Sequence, residues 1–169
     1  MNAAAAIDEL CVRDVLSPRF ISAAPEDTLG ELAERLALAD AGSGELRRAA
    51  DVDDLTPYDG VILGGSLYFG RLHRDVVRFL AKHRRTLSGL PVAVFALGPT
   101  TVEPNDLAAS RAQLDKALKK APGVARSVAI FGGVIDPTKL PFPLSRMSPS
   151  DARDWDAIDA LADEIATTT

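Results

Sequence analysis

Four short apolar runs stand out along the chain, at Arg19–Ala23, Val61–Gly64, Pro91–Leu97 and Ser127–Phe131. The last three (VILG, VAVFAL, VAIF) are nearly continuous instead of alternating with polar residues. Runs of that kind suit strands covered on both faces, as in a parallel sheet between helix layers. Segments with helical spacing lie between and after them. Leu29, Leu32, Ala33 and Leu36 follow Thr28, and Glu31 completes a capping box with that threonine. Val76, Val77, Leu80 and Ala81 predict a second helix that begins near His73. Leu107, Ala108, Leu114 and Leu118 predict a third, with Asn105 or Asp106 as its cap. Ala157, Ile158, Leu161, Ala162 and Ile165 predict the last, again behind an aspartate, Asp154 or Asp156. Strands alternating with helices imply a parallel sheet, because each return crossover needs a dozen or more residues.

A fifth strand is expected at Glu45–Ala50 (ELRRAA), whose charge and low β-propensity suit a sheet edge. An acidic turn follows at residues 51–56. The fold expected is an α/β three-layer sandwich with a five-stranded parallel sheet. Residues 1–18 would form an N-terminal extension, and residues 19–169 a single domain.

Composition narrows the picture only slightly. At 169 residues, 47% hydrophobic and 25% charged, the chain matches an ordinary globular domain, not a disordered or collagen-like one. Nineteen Lys and Arg against 24 Asp and Glu leave a formal charge of −5, which argues against a nucleic-acid partner. The single cysteine, Cys11, excludes an intramolecular disulfide. No apolar stretch approaches the ~20 residues of a membrane span. The first residues lack the basic flank and apolar run of a signal peptide, so a cytoplasmic protein is expected.

In an open parallel sheet, ligands gather outside the carboxyl ends of the strands. The residues that follow each apolar run are therefore the informative ones. Gly64-Gly65-Ser66-Leu67-Tyr68-Phe69-Gly70 follows the second run, Gly98-Pro99-Thr100-Thr101 the third, and Gly132-Gly133 the fourth. Each alone is an unremarkable strand-to-helix turn. Together, with two adjacent aromatics in the longest, they predict a site for a planar ligand.

The stretch Tyr58-Asp59-Gly60-Val61-Ile62-Leu63-Gly64-Gly65-Ser66-Leu67-Tyr68-Phe69-Gly70-Arg71-Leu72-His73 resembles the central strand and flavin loop of flavodoxin-domain proteins. The subgroup it is most similar to is the menaquinone-dependent protoporphyrinogen oxidases. Leu90–Leu97, Phe131-Gly132-Gly133 with Asp136–Leu140, and Arg153-Asp154-Trp155-Asp156-Ala157-Ile158 resemble the same subgroup in the same order. The resemblance implies a flavodoxin-like fold with strand order 2-1-3-4-5 and FMN at the strand ends. It implies that Gly65, Ser66, Leu67, Tyr68, Phe69 and Gly70 border the flavin ring, with Tyr68 as the stacking residue. Gly98, Pro99, Thr100 and Thr101 would close the ring's other side, and Thr28 would lie at its phosphate. The implied activity is an FMN-dependent oxidoreductase acting on a porphyrin or quinone-type substrate. Phe142 and Met147 would then form a patch for substrate or peripheral membrane contact.

The stretch Ser22–Thr28 departs from a phosphate loop. Pro25 lacks an N–H donor, and Glu26 and Asp27 put carboxylates where a dianionic phosphate would bind. The alternative is therefore a flavodoxin-fold binding or accessory module that no longer holds FMN. Val12–Pro18 with Pro25–Ala33 also resembles the opening of a CBS domain, although no second half follows. His73 and His83 read as surface histidines, with His73 placed to position the glycine-rich segment. Arg74, Arg78, Lys82, Arg84 and Arg85 make one helix basic, Trp155 is expected to bury against the domain, and no GxSxG or Ser-His-Asp pattern supports hydrolysis.

Overall fold

The computed structural model describes residues 19–23, 46–68, 70–98, 102–135, 137–139 and 142–168. Apolar runs become strands as their patterning dictates: β1 (Arg19–Ala23), β2 (Leu46–Arg48), β3 (Val61–Tyr68), β5 (Val92–Leu97) and β6 (Ser127–Phe131). β4 (Arg71–Leu72) and the pair β7 (Val134–Ile135) and β8 (Ser150–Asp151) are two residues each. The described helices are α1 (Arg74–Leu87), α2 (Pro104–Leu118) and α3 (Trp155–Thr168). The expected helix after Thr28, the extension at 1–18 and the CBS-like segments at 12–18 and 25–33 lie outside the described residues.

The main sheet runs β2-β1-β3-β5-β6, and every neighbouring pair along that path is parallel. Counting the parallel strands alone gives the order 2-1-3-4-5, with the charged β2 at one edge as its composition predicts. Successive side chains of a strand point to opposite faces, and the core divides accordingly. Val61, Leu63, Val92, Val94 and Ala96 face Val76, Phe79 and Leu80 of α1 and Leu114 of α2. Ile62, Ala93, Phe95, Leu97 and Phe131 face Ile158, Leu161 and Ala162 of α3. Both faces are covered by apolar side chains, which explains runs without polar alternation, and each fully buried Leu, Val or Phe contributes about 1.5–3 kcal/mol. The result is the three-layer sandwich of the flavodoxin type.

Helix boundaries follow the capping chemistry. His73 is the N-cap of α1, and its Nδ1 accepts from the Asp75 N–H at 3.4 Å. Asp154 Oδ1 accepts from the Ala157 N–H at 3.0 Å, so Asp154 starts α3. The α2 start differs from expectation, since Glu103, not Asn105 or Asp106, is the N-cap, with Pro104 at the first helical position. A proline there loses only an N–H that the helix leaves unpaired in any case.

His83 is a second correction. It is buried, not on the surface, with Nε2 3.1 Å from the Val52 carbonyl and its ring 4.6 Å from that of Phe79. This contact fixes the acidic segment 51–55 against α1, and Lys82 reinforces it by donating to Asp53 and to the Val52 carbonyl.

Candidate functional site

The central strand is longer than the sequence pattern suggests. Gly65, Ser66, Leu67 and Tyr68 continue β3 beyond the expected run Val61–Gly64, where a loop was expected. Parallel pairing with β5 runs on to Ser66↔Leu97, and β5 pairs with β6 at Leu97↔Phe131. Ser66, Leu97 and Phe131 therefore form the last row of the sheet at its carboxyl edge. β3 then projects two residues further and folds back on β4, with Leu67 opposite Leu72 and Tyr68 opposite Arg71. The turn needs only two residues, and Gly70 adopts φ 71°, a left-handed conformation that favours glycine.

The glycines inside β3 make room for neighbouring side chains. A Cβ at Gly64 would lie 2.1 Å from the Phe95 ring, and one at Gly65 2.9 Å from Val76. Each face of the sheet thus fills one glycine with its own core. Gly98, just after β5, backs onto Ser110 of α2 and Leu67, and its N–H donates to the Phe131 carbonyl at 2.9 Å. That bond ties the ends of β5 and β6 together.

Ser66 differs from everything around it. It is 5% exposed, and its Oγ has no hydrogen-bond partner among the described residues. Leaving a buried hydroxyl unsatisfied costs about 1–3 kcal/mol, so such an atom needs an explanation. Its backbone carbonyl is satisfied, accepting from the His73 N–H at 3.1 Å. His73 thereby couples the end of β3 to the start of α1, as a positioning residue would.

Beside this edge, Gly132 marks a close chain crossing. A Cβ there would lie 1.8 Å from the Ala152 carbonyl oxygen, and the Ala152 N–H donates to the Gly133 carbonyl at 3.0 Å. The crossing delivers Ala152–Asp156 to the carboxyl side, where they and Val102 line an open depression of ≈ 510 Å³. Arg153 is held in place within this lining. It donates Nε–H to Asp151 Oδ1 at 2.8 Å and a second N–H to Oδ2, and its guanidinium lies 5.0 Å over the Trp155 ring. The paired guanidinium holds the Asp151 carboxyl below the usual carboxylate range. Trp155 is half-buried against the α3-side core.

The sequence matches the flavodoxin domain over residues 29–146, more than two thirds of the chain. The chain is a member of the flavodoxin-domain family. Among solved structures it is similar to oxidised Flavodoxin 1 from Bacillus cereus, with 17% identity, a TM-score of 0.56 and coverage of 91% of this chain and 99% of that one. Oxidised Flavodoxin 2 from Bacillus cereus has 18% identity, a TM-score of 0.55 and coverage of 90% and 96%. A flavodoxin, WrbA-like protein from Agrobacterium tumefaciens has 12% identity, a TM-score of 0.51 and coverage of 90% and 95%. At such identities the likeness is one of fold. A comparison with curated proteins finds no significant match.

Within this flavodoxin domain, the structure brings Gly65, Ser66, Leu67 and Gly98 together at one edge, with Gly70 at the tip of the adjoining hairpin. Thr28, Phe69, Pro99, Thr100, Thr101 and the side chain of Tyr68 lie outside the described residues, as do Pro25, Glu26 and Asp27. The Arg153–Trp155 depression was missed as a site because a tryptophan at the start of a helix reads as a residue that buries against the domain. The signal available was the pairing of an arginine and a tryptophan two residues apart, directly before a helix. No group of three or more His, Cys, Asp or Glu side chains among the described residues is arranged to hold a metal ion. No described helix is long and apolar enough to cross a membrane. Phe142 and Met147 are exposed at 73% and 43%, and the Arg146 guanidinium lies 5.0 Å over the Phe142 ring.

Proposed function

We propose that this flavodoxin domain binds FMN at the carboxyl edge of its sheet and serves as an oxidoreductase or electron carrier resembling protoporphyrinogen oxidase. The observation that carries the reading is the buried Ser66 hydroxyl, without a partner among the described residues, at the end of the central strand. A ligand with polar atoms on a flat edge satisfies such a hydroxyl, and FMN has them. When bound, the flavin supplies the redox chemistry. The chain supplies the setting: Ser66 hydrogen-bonds the ring's polar edge, and Tyr68 and Phe69 cover its face. Gly98, Pro99, Thr100 and Thr101 contribute backbone donors on the other side, and Thr28 lies at the phosphate.

The depression between Val102 and the Arg153–Trp155 stack is where a flat porphyrin or quinone-type substrate would approach. Phe142 and Met147 would supply a peripheral membrane contact for a cytoplasmic protein. A second reading, an accessory module without FMN, is favoured by Pro25, Glu26 and Asp27 in the phosphate stretch. Flavin-fluorescence titration of the purified protein separates the two. Quenching of added FMN by the wild-type chain, weakened in Tyr68→Ala, supports the first. A colourless protein that leaves FMN fluorescence unchanged overturns it in favour of the second.

A further inference from the structure

Charge is segregated between α1 and α3. Arg74, Arg78, Lys82 and Arg85 recur at the spacing of one helix face and form a stripe down the outside of α1. The side chains of the first three are 76%, 69% and 50% exposed. Arg71, three residues before Arg74, is exposed on β4, where its register partner is Tyr68 at the candidate site. Across the sheet, Asp154 and the α3 residues Asp156, Asp159, Asp163 and Glu164 stand in a segment with no Lys or Arg at all.

The helix dipole accounts for Arg85 in the last turn, and Asp53 engages Lys82, but helix stability does not account for Arg74 and Arg78. Cations at a helix N-terminus oppose the macrodipole, and like charges four residues apart repel. Asp75 is the single acidic residue in the first turn of α1, and it is shared between Arg78 at 3.4 Å and Arg74 at 3.7 Å. Arg71 and Arg85 have no carboxylate partner among the described residues.

We propose that this arginine stripe docks an acidic partner protein, which exchanges electrons at the carboxyl edge beside Tyr68. The exchange rests on the flavin reading above; the docking does not. From Arg74 to Arg85 the stripe spans about 17 Å, the scale of a small, polar and transient interface. An extended polyanion would meet the acidic remainder of a chain whose net charge is −5. The exposed large apolar side chains among the described residues are Val102, Phe142 and Met147, and none of them lies on α1 to anchor it in a bilayer. A localised acidic patch on a protein is complementary to the stripe and escapes both objections.

The test uses a small acidic [2Fe–2S] ferredoxin as probe, with binding followed by interferometry, with and without added FMN. The account predicts binding at about 20 mM salt that weakens about tenfold or more by about 300 mM. Arg74→Glu with Arg78→Glu should lower affinity by about tenfold or more at low salt, whereas Asp163→Lys on α3 should not weaken it. Glutamate suits position 74 in the first turn, but Arg78→Glu gives up the Asp75 contact, so the double variant's melting temperature is measured alongside to show that it is folded. Absence of ferredoxin binding at low salt overturns the proposal, as does undiminished binding by the arginine variants. Equal, arginine-dependent binding of duplex DNA or phosphatidylglycerol vesicles, or salt-sensitive dimers in sedimentation, also overturns it. FMN uptake is read separately by fluorescence, so ferredoxin binding without FMN uptake contradicts the flavin reading and leaves the docking surface standing.

Discussion

The two halves of the buried stretch Val61–Ser66 of β3 are closed in opposite ways. Val61, Ile62 and Leu63 fill the core with their own side chains, alternately toward α1 and toward α3. Gly64 and Gly65 contribute none, and Phe95 and Val76 move into the space. Where the first half ends in hydrocarbon, the second ends in the hydroxyl of Ser66, which is buried and has no partner among the described residues. One strand is thus both the centre of the core and the floor of a site. In this sheet, glycine in a strand marks close packing, and the serine marks the polar need.

Substitutions at the close approaches should sharpen that contrast, beginning with the least forgiving. Gly132→Ala places its Cβ against the Ala152 backbone, which cannot rotate away as a side chain can. It should lower stability by about 3 kcal/mol or more in urea denaturation, at the upper end of overpacking effects. The same change should reshape the Arg153–Trp155 depression, visible as a shift in tryptophan fluorescence, since Trp155 is the chain's one tryptophan. Gly64→Ala meets a ring instead of backbone and should cost about 1–3 kcal/mol. Adding Phe95→Leu should return part of that loss, because the two sites share one space. Fully additive losses would show that Phe95 does not occupy the space left by Gly64.

A smaller effect is expected from His83. Burial disfavours its imidazolium and holds its pKa below the ordinary 6.5, with Lys82 acting in the same direction. The contact with the Val52 carbonyl and the charges of Asp53 and Asp54 oppose that shift without reversing it. Above 6.5 both folded and unfolded chains hold the ring neutral, and pH has no effect through this group. As pH falls below 6.5, the unfolded chain takes up the proton first and stability declines, until the folded ring also titrates. His83→Gln should flatten this slope. Asp53, Asp54 and Asp151, each held below 3.8 by hydrogen bonds, act in a separate window and lose their contribution only as pH falls through their lower folded values. A slope unchanged in His83→Gln would mean that another group titrates there.

Much of the fold was legible because two-sided burial leaves a plain trace. Continuous apolar runs located β3, β5 and β6, and the charge of residues 45–50 located the edge strand. The order of the strands came from the resemblance, since periodicity carries no information about which strands become neighbours. Gly65–Tyr68 was misread as a loop because glycine is a strand breaker by propensity, and the side chains that fill the space beside Gly64 and Gly65, Phe95 and Val76, come from other elements. Glu103 was overlooked as a cap, although Pro104 signals the first helical position. His83 follows Phe79 by four residues and precedes Leu87 by four, so its place on the buried face was readable from spacing alone. The edge position of Ser66 could be read, but its lack of a partner could not. Satisfaction of a hydroxyl depends on every neighbour at once, and no local pattern encodes it.

The most direct test is Ser66→Ala, with unfolding free energy measured without FMN and FMN affinity measured by fluorescence titration. If the hydroxyl awaits a ligand, its removal leaves the FMN-free chain as stable as wild type, or more stable by up to about 1 kcal/mol, while FMN affinity falls about tenfold. A chain destabilised by about 1–3 kcal/mol with FMN affinity unchanged would contradict the account, because the hydroxyl would then be serving the fold and not the site.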